Sequence, residues 1–358
     1  MDVSNAPVGE IAPRHRFDEA RLDAYLKEKI PDFGSGLVVR QFQGGASNPT
    51  FLLSTRRADG DWHYVLRKKP PGELLASAHQ VDREYRVMKA LEGTGVPVPH
   101  MRALCEDPGV IGTAFYVMDF LEGRIFRDAK LPQLSPKERA AVYDELNATL
   151  AKLHKVDYVG VGLGDYGKPG DYFARQIARW IKQYRGAETE NIPEMEKLIE
   201  VLPGLVPDER SVSIAHGDYR LENVMFHPKE PKLIAVLDWE LSTIGHPLAD
   251  IAYNAFLWHS DSPSWGNLVG VDYKTSGIPS ERDYVAAYCR RVGRDGIEGW
   301  NFYQSFSVFR LASISQGVYK RTLAGVLASN REAVNGTPHL AKQALVLLEN
   351  APKYMSAQ

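Results

Sequence analysis

Apolar residues follow two rhythms along the chain. In the first third they come in short runs. LVVRQF (37–42), TFLLST (50–55) and HYVLRK (63–68) are β-branched or aromatic segments separated by glycine and polar turns, which predicts three strands. QGGASN (43–48) is a glycine-containing turn between the first two, and RRADGD (56–61) carries Asp-Gly, a hairpin signal. In SAHQVDREYRVMKALEG (77–93) the period changes: Val81, Tyr85, Met88 and Leu91 recur at near-helical spacing and Gly93 ends the run. Glu84 lies three residues after Val81, on the face that should be buried. Past Pro97 and Pro99, MRALCE and AFYVMDFLEG read as two more strands, giving β-β-β-α-β-β.

After Gly123 the helical period takes over, at 135–155, 170–185, 190–202, 248–259, 280–293, 300–329 and 337–350. The pattern predicts an α+β chain, with a small β-rich lobe over 17–120 and a larger, mainly helical lobe over 121–358. Residues 1–16, with Pro7, Gly9 and Pro13, read as a flexible leader.

The 358 residues suffice for two ordinary domains, and 44% hydrophobic with 25% charged residues is the balance of a soluble globular protein. A net charge of −2 argues against nucleic acid or an anionic membrane as partner. No apolar run reaches spanning length, and the N-terminus lacks a signal-peptide layout. Cys105 and Cys289 are too few for a disulfide framework and suit a reducing, cytoplasmic setting. Nothing in the pattern sets an oligomeric state.

One stretch breaks the helical rhythm. SIAHGDYRLENVMFHPKEPKLIAVLDWE (213–240) reads as loop, short strand, turn and strand, with His216, Asp218, Asn223 and Asp238 at the edges of its apolar runs. Buried carboxylates are costly unless paired or bound to metal. If VMF and LIAVL pair as a hairpin, its open end brings Asn223 and the region of Asp238 together. One carboxylate and one amide oxygen then converge, which suits Mg²⁺. Asp218, at the loop apex, remains free to orient and deprotonate a hydroxyl. Each residue taken singly is also an ordinary turn or cap residue; the spacing of the set argues for chemistry. There is no His/Cys spacing for zinc and no G-x-S-x-G for a serine hydrolase.

HGDYRLENVMF, IAVLDWE and GHPLADIAY resemble the aminoglycoside phosphotransferase and choline kinase superfamily, most of all the kinase-like domains related to those fused to acyl-CoA dehydrogenases. The similarity extends through GGASNPTF, VLRKKPPG, REYRVMKAL, VPVP, YVMDFLEG and RQIARW. It implies a two-lobed, protein-kinase-like fold and an ATP- and Mg²⁺-dependent transfer of phosphoryl to a hydroxyl of a small molecule. By the resemblance, Asp218 is the catalytic base, and Asn223 and Asp238 are the metal ligands. Arg67 holds ATP phosphates, with Lys68 as its register-shifted alternative, and Glu84 pairs with that base. Gly44, Gly45 and Ser47 of the turn contact phosphate or serve only the hairpin. The segment Met118–Leu121, with Met118, Asp119 and Leu121, offers backbone hydrogen bonds to adenine. Asp250 props up the catalytic loop. His246 departs from relatives, which usually carry an acid or small polar residue there.

Three functions compete: a small-molecule kinase, possessing all of Asp218, Asn223 and Asp238; an aminoglycoside-type antibiotic kinase; and a nucleotide-binding pseudokinase or scaffold. A protein kinase is disfavoured, because about nine residues separate Glu240 from Asp250, too few for a long activation loop. From Arg124 to Gln358 there are 28 acids and 28 Lys+Arg, so the second lobe is neutral. From Asn301 on, Glu332 and Glu349 face Arg310, Lys320, Arg321, Arg331, Lys342 and Lys353. That balance leans toward a neutral or anionic acceptor, with a hydroxyacyl-CoA fitting the relatives.

Overall fold

The computed structural model describes residues 7–43, 48–70, 80–261, 266–325 and 334–358. The chain divides into two compact units. One holds Met1–Ile125, Val161–Leu163 and Glu222–Ser242; the other holds Phe126–Gly160, Gly164–Leu221 and Thr243–Gln358.

The first unit is built on a six-stranded antiparallel sheet of order β1-β2-β3-β4-β6-β5. Its strands are β1 (Val8–Gly9), β2 (Ser35–Phe42), β3 (Thr50–Arg57), β4 (Gly60–Lys68), β5 (Met101–Cys105) and β6 (Phe115–Asp119). The helices are α1 (Glu19–Lys29), α2 (Val81–Leu91) and the short α3 (Pro108–Ile111). Phe51, Leu53, Tyr64 and Leu66 alternate into a core with Leu22 and Leu26 of α1. Val81, Val87, Met88 and Leu91 bury one face of α2, and Glu84 is buried among them.

Two features depart from the pattern reading. The segment 17–36, to which it assigns no element, holds α1. There the Asp18 carboxylate accepts the Arg21 N–H at 3.0 Å, and Leu22, Leu26 and Ile30 recur every four residues on a buried face. The expected leader is partly ordered: Val8 and Gly9 pair with Phe42 and Gln41, and the Gln41 side chain accepts the Ala12 N–H at 2.9 Å. An unpaired sheet edge offers β2's backbone groups to any nearby chain.

The stretch 222–242 belongs to the first unit rather than to the helical part of the chain, where a boundary at 120/121 would put it. It forms an antiparallel hairpin, Val224–Phe226 with Leu233–Val236. Phe226 and Arg124 exchange backbone bonds of 2.8 and 2.7 Å, and Val236 N–H reaches the Pro97 carbonyl at 2.8 Å. A Cβ at Gly123 would stand 2.6 Å from the Phe226 carbonyl oxygen, so glycine permits this approach.

The second unit is helical: α4 (Pro136–His154), α5 (Tyr172–Ala187), α6 (Pro193–Val201), α7 (Pro247–Ala255), α8 (Glu281–Val292), α9 (Trp300–Leu323) and α10 (Thr337–Asn350). Ser135 and Glu138 form a reciprocal capping box at the start of α4. Leu146, Leu150, Tyr219, Ile251, Tyr288 and Phe309 are fully buried in its interior. Strand Ser213–Ala215 pairs antiparallel with Thr243–Gly245, so the chain enters the His216 loop from one strand and enters α7 from the other.

Candidate functional site

In the first unit, chemistry gathers around Arg67. A strand sends successive side chains to opposite faces, so the neighbours Arg67 and Lys68 part company. Lys68 is buried with its ammonium 5.7 and 6.0 Å from the rings of Phe17 and Phe51, and burial pushes its pKa down. Arg67, 15% exposed, meets Asp238 Oδ1 through Nη2 at 2.9 Å, Glu84 Oε2 through Nε at 3.4 Å and Glu240 Oε2 at 3.6 Å. The Asp238 contact is a hydrogen bond; Nε of Arg67 has no aligned acceptor. Burial works against the Arg67 charge, but the fields of Tyr116, Glu84, Asp238 and Glu240 outweigh it and hold the guanidinium above its ordinary range.

Glu84 is 1% exposed and accepts from Asn48 Nδ2 at 2.8 Å and from Tyr116 Oη at 2.9 Å. Burial pushes its carboxyl up against the opposing pull of Arg67 and these hydrogen bonds. Asp238 has a left-handed backbone, φ 62° and ψ 63°, rare outside Gly, Asn and Asp. Such strain persists only where surroundings fix it. Here Leu237 N–H bonds the Asn223 carbonyl at 2.8 Å and Val224 faces Val236, so the hairpin's open end brings residues 223 and 237–238 side by side. Three carboxylates thus face one guanidinium, an excess of negative charge.

In the second unit, the loop His216–Tyr219 is held mainly through its backbone. The fully buried Asp250 of α7 accepts the His216 N–H at 2.6 Å and the Gly217 N–H at 2.8 Å, and lies 3.3 Å from His154 Nε2. Burial would push the Asp250 carboxyl up; the bonds from His154 and Gly217, with the fields of His154 and His216, hold it below its ordinary value. Arg310 of α9 donates to the Gly217 carbonyl, Asn254 to the Tyr219 carbonyl, and Asp218 N–H to His216 Nδ1. Gly217, at φ 83°, makes the turn that a side chain would strain. The Tyr253 hydroxyl donates to Oδ1 of the Asp218 carboxylate.

The other sequence candidates fall as follows. Gly44, Gly45 and Ser47 lie outside the described residues. Met118 is within β6, pairing with Val65 and Met101. The Asp119 carboxylate is taken by a two-pronged bond from Arg102, 2.6 and 2.9 Å, and its N–H goes to the His100 carbonyl. Leu121 lies just past the strand. His246 caps α7, its Nδ1 accepting the Leu248 N–H at 3.2 Å, and packs 5.0 Å from the Phe173 ring. Of the C-terminal bases, Arg310 is buried against the loop and Lys320 donates to the Gly186 carbonyl at 2.8 Å, which does not make one cationic surface. Sequence reading missed Tyr253, Arg310 and His154. Tyr253 follows Asp250 by three residues on one helix, a spacing that could have found it; Arg310 is 93 residues from its partner and left no local signal.

The strand-borne cation paired with a helix carboxylate and the hairpin presenting Asn and Asp in the first unit, and the His-Gly-Asp loop clamped by a later Asp in the second, are each features of a phosphotransferase. The chain matches the phosphotransferase enzyme family (APH) over residues 38–299 and belongs to it. It is 46% identical over 333 residues to acyl-CoA dehydrogenase family member 11 of Rattus norvegicus, a match covering 91% of this chain and 42% of that protein. It therefore spans about two fifths of that relative's length. A candidate aminoglycoside phosphotransferase of known structure, from Ralstonia eutropha, shares 46% identity and a TM-score of 0.85, covering 94% of this chain and 100% of that one. The ternary complex of streptomycin, ATP and APH(2″)-IIa matches at TM-score 0.56 and 15% identity over 92% of this chain and 98% of its own, a likeness of fold.

Proposed function

We propose that the chain transfers the γ-phosphoryl group of ATP, with Mg²⁺, to a hydroxyl of a small molecule. The observation that carries this reading is the Asp218 loop, whose backbone is fixed by Asp250 and Arg310 and whose carboxylate accepts the Tyr253 hydroxyl. The acceptor hydroxyl would give its proton to Asp218 as its oxygen bonds to the γ-phosphorus. The bond from that phosphorus to the β,γ-bridging oxygen breaks, and ADP leaves. Positioning and charge compensation are most of what such a transfer asks of a protein.

Arg67 would hold phosphate oxygens, with Glu84 keeping it extended from β4. Adenine would meet the backbone of Leu121 and the Asp119 carbonyl, since the N–H groups of Asp119 and Phe120 are already bonded to His100 and His63. The donor set fits magnesium: a carboxylate and an amide stand at one hairpin end, amid excess acidic charge, and this ion takes one or two carboxylates beside phosphate oxygens and water. Asn223 and Asp238 would hold it, and it would neutralise charge on the phosphates. ADP- and ATP-bound states occur among structural relatives of this fold.

The acceptor we propose is neutral or anionic, in particular a hydroxyacyl thioester of coenzyme A. The even charge of residues 124–358 and the acyl-CoA dehydrogenase relatives support it. A reducing, cytoplasmic setting belongs to the same reading, because Cys105 and Cys289 are buried free thiols. Among the described residues no helix is long and apolar enough to cross a membrane. The test is ADP release by the purified protein, with Mg-ATP, against hydroxyacyl-CoAs, kanamycin, choline and simple sugars. Turnover of a hydroxyacyl-CoA is expected. Efficient, selective kanamycin turnover overturns the acceptor, and nucleotide binding without any turnover favours a regulatory module.

A further inference from the structure

A cavity of about 200 Å³ lies within the second unit, between the start of α5, the segment 206–211 and His246. His246 is 3% exposed, and its neighbours fix which nitrogen carries the proton. Nδ1 accepts the Leu248 N–H at 3.2 Å, so the hydrogen of the neutral ring sits on Nε2. Burial keeps that neutral form at pH 7, with the pKa down to about 4. The rings of Phe173 and Tyr303 pack on the imidazole at 5.0 and 6.0 Å. Nε2–H is left facing Glu209, whose Oε1 is 3.8 Å away and whose backbone carbonyl also pulls on it. Neither is aligned as a hydrogen-bond acceptor, and Nε2 has no other among the described residues. A buried donor without an acceptor is rare and costly. More donors border the same cavity. Helix α5 runs for 16 residues, and the Arg175 N–H reaches the Asp171 carbonyl at 3.1 Å. The N–H groups of Tyr172, Phe173 and Ala174 come before it, without an acceptor inside the helix, and Asp171 gives them no side-chain cap.

The charges around the cavity select what fits it. The positive end of α5 and the Nε2–H donor disfavour a cation. Glu209 disfavours an anion. Burial works against its charge, but the bonds from Arg294 at 2.6 Å and from the Ser211 hydroxyl and N–H outweigh it and hold its carboxyl down to about 2. Asp171, at the exposed rim, adds to that repulsion, while Asp208 and Arg210 pair with each other at 3.2 Å. A hydroxyl suits both neighbours, because it accepts from Nε2–H through a lone pair and donates to a Glu209 oxygen. Val206, Pro207 and Tyr172 supply wall for carbon atoms. At about 30 Å³ for each water of the liquid, 200 Å³ admits a molecule of about three or four carbons. We propose that this cavity is a binding site for a small neutral polyol, held by His246 Nε2–H, Glu209 and the first N–H groups of α5. Neither Asp218 nor nucleotide takes part, so the site stands or falls independently of phosphoryl transfer.

The test is ligand-observed NMR of the purified protein titrated with glycerol and with erythritol, using butyrate and butylammonium as charged controls. Saturable binding of a polyol is expected, with both controls weaker. His246→Asn keeps an acceptor for the Leu248 N–H and removes Nε2–H. It should weaken polyol binding about 3- to 10-fold, the worth of one hydrogen bond. Ala174→Phe sends a ring into the cavity from an exposed position and should abolish the binding. No saturable binding of either polyol means that the cavity takes water alone, and overturns the site. Tighter binding of butyrate or butylammonium overturns the ligand class. Binding that is lost in Ala174→Phe but unchanged in His246→Asn removes the donor that selects a hydroxyl, and overturns the class as well. A polyol signal that survives Ala174→Phe unchanged comes from another part of the protein and overturns the site.

Discussion

The Arg67 cluster and the Asp218 loop are held by opposite means. Around Arg67, side chains hold side chains across long sequence distances: a guanidinium on β4 joins a helix carboxylate and two acids of the hairpin segment. Around Asp218, side chains hold backbone, with Asp250, Arg310 and Asn254 engaging N–H and C=O groups of His216, Gly217 and Tyr219. On the proposed function, the first arrangement is exchangeable. Its bond at 2.9 Å joins Arg67 and Asp238, two groups that phosphate and a cation would each draw away. The second has no such competitor, because a loop peptide bonded to a buried carboxylate gains nothing by leaving it. A phosphoryl-transfer protein needs both kinds of region: one that trades partners when nucleotide arrives, and one whose geometry is set beforehand.

The comparison breaks most visibly at Asp218. Asp218→Asn should lose about 10²- to 10⁴-fold in turnover, the range for a positioned general base, with Mg-ATP affinity and melting temperature near wild type. Turnover within about tenfold of wild type would move the base elsewhere. The next largest effect is on stability. Asp250→Ala strands two buried N–H groups and the His154 imidazole. Leaving a buried donor without its acceptor costs about 1–3 kcal/mol for each group, to be read from urea unfolding. A loss under about 1 kcal/mol, the size of an ordinary surface change, would mean the loop is preset by something else.

The exchangeable region should respond in the other direction. Asp238→Asn keeps a residue that tolerates the left-handed backbone and removes the charge. Global stability should change little, while Mg-ATP affinity falls on the order of tenfold, the worth of one charge-assisted bond; calorimetric titration measures it. Asn223→Ala should weaken the same titration. Wild-type affinity in both variants sinks the metal assignment.

This contrast also explains what the sequence made legible. Helix periods were readable because burial imposes them; the pattern over 337–350 coincides with α10 (Thr337–Asn350). The hairpin that joins Asn223 to Asp238 was readable from two apolar runs and a proline turn. Helix α1 was overlooked among charged residues, although Leu22, Leu26 and the Asp18 cap mark it. Spacing alone left Arg67 and Lys68 as alternatives, because alternation says that they face apart but not which face holds Glu84. The Asp218 loop's supports were least legible. Tyr253 lay on a helix read from its period alone, and Arg310 counted only as one base in a tail. Backbone-holding contacts place few demands on local sequence.

The smallest expected effect tests how the preset region is itself supported. His246 caps α7, the helix that carries Asp250, and burial holds its pKa down to about 4, against the opposing pull of Glu209. A depressed histidine favours folding in its neutral form. Its contribution is therefore complete above the ordinary value of 6.5 and is lost as pH falls from there toward about 4. Each pH unit in that window should take up to about 1.4 kcal/mol from stability. His246→Asn keeps a cap acceptor for the Leu248 N–H without a titrating ring. It should be less stable at neutral pH, because the packing against Phe173 and Tyr303 is lost. Its stability should nonetheless fall less steeply than wild type between pH 6.5 and 4. Urea midpoints at several pH values measure the slope. Parallel slopes in the two proteins would mean that His246 titrates as it does in the unfolded chain, and that the start of α7 is open to solvent.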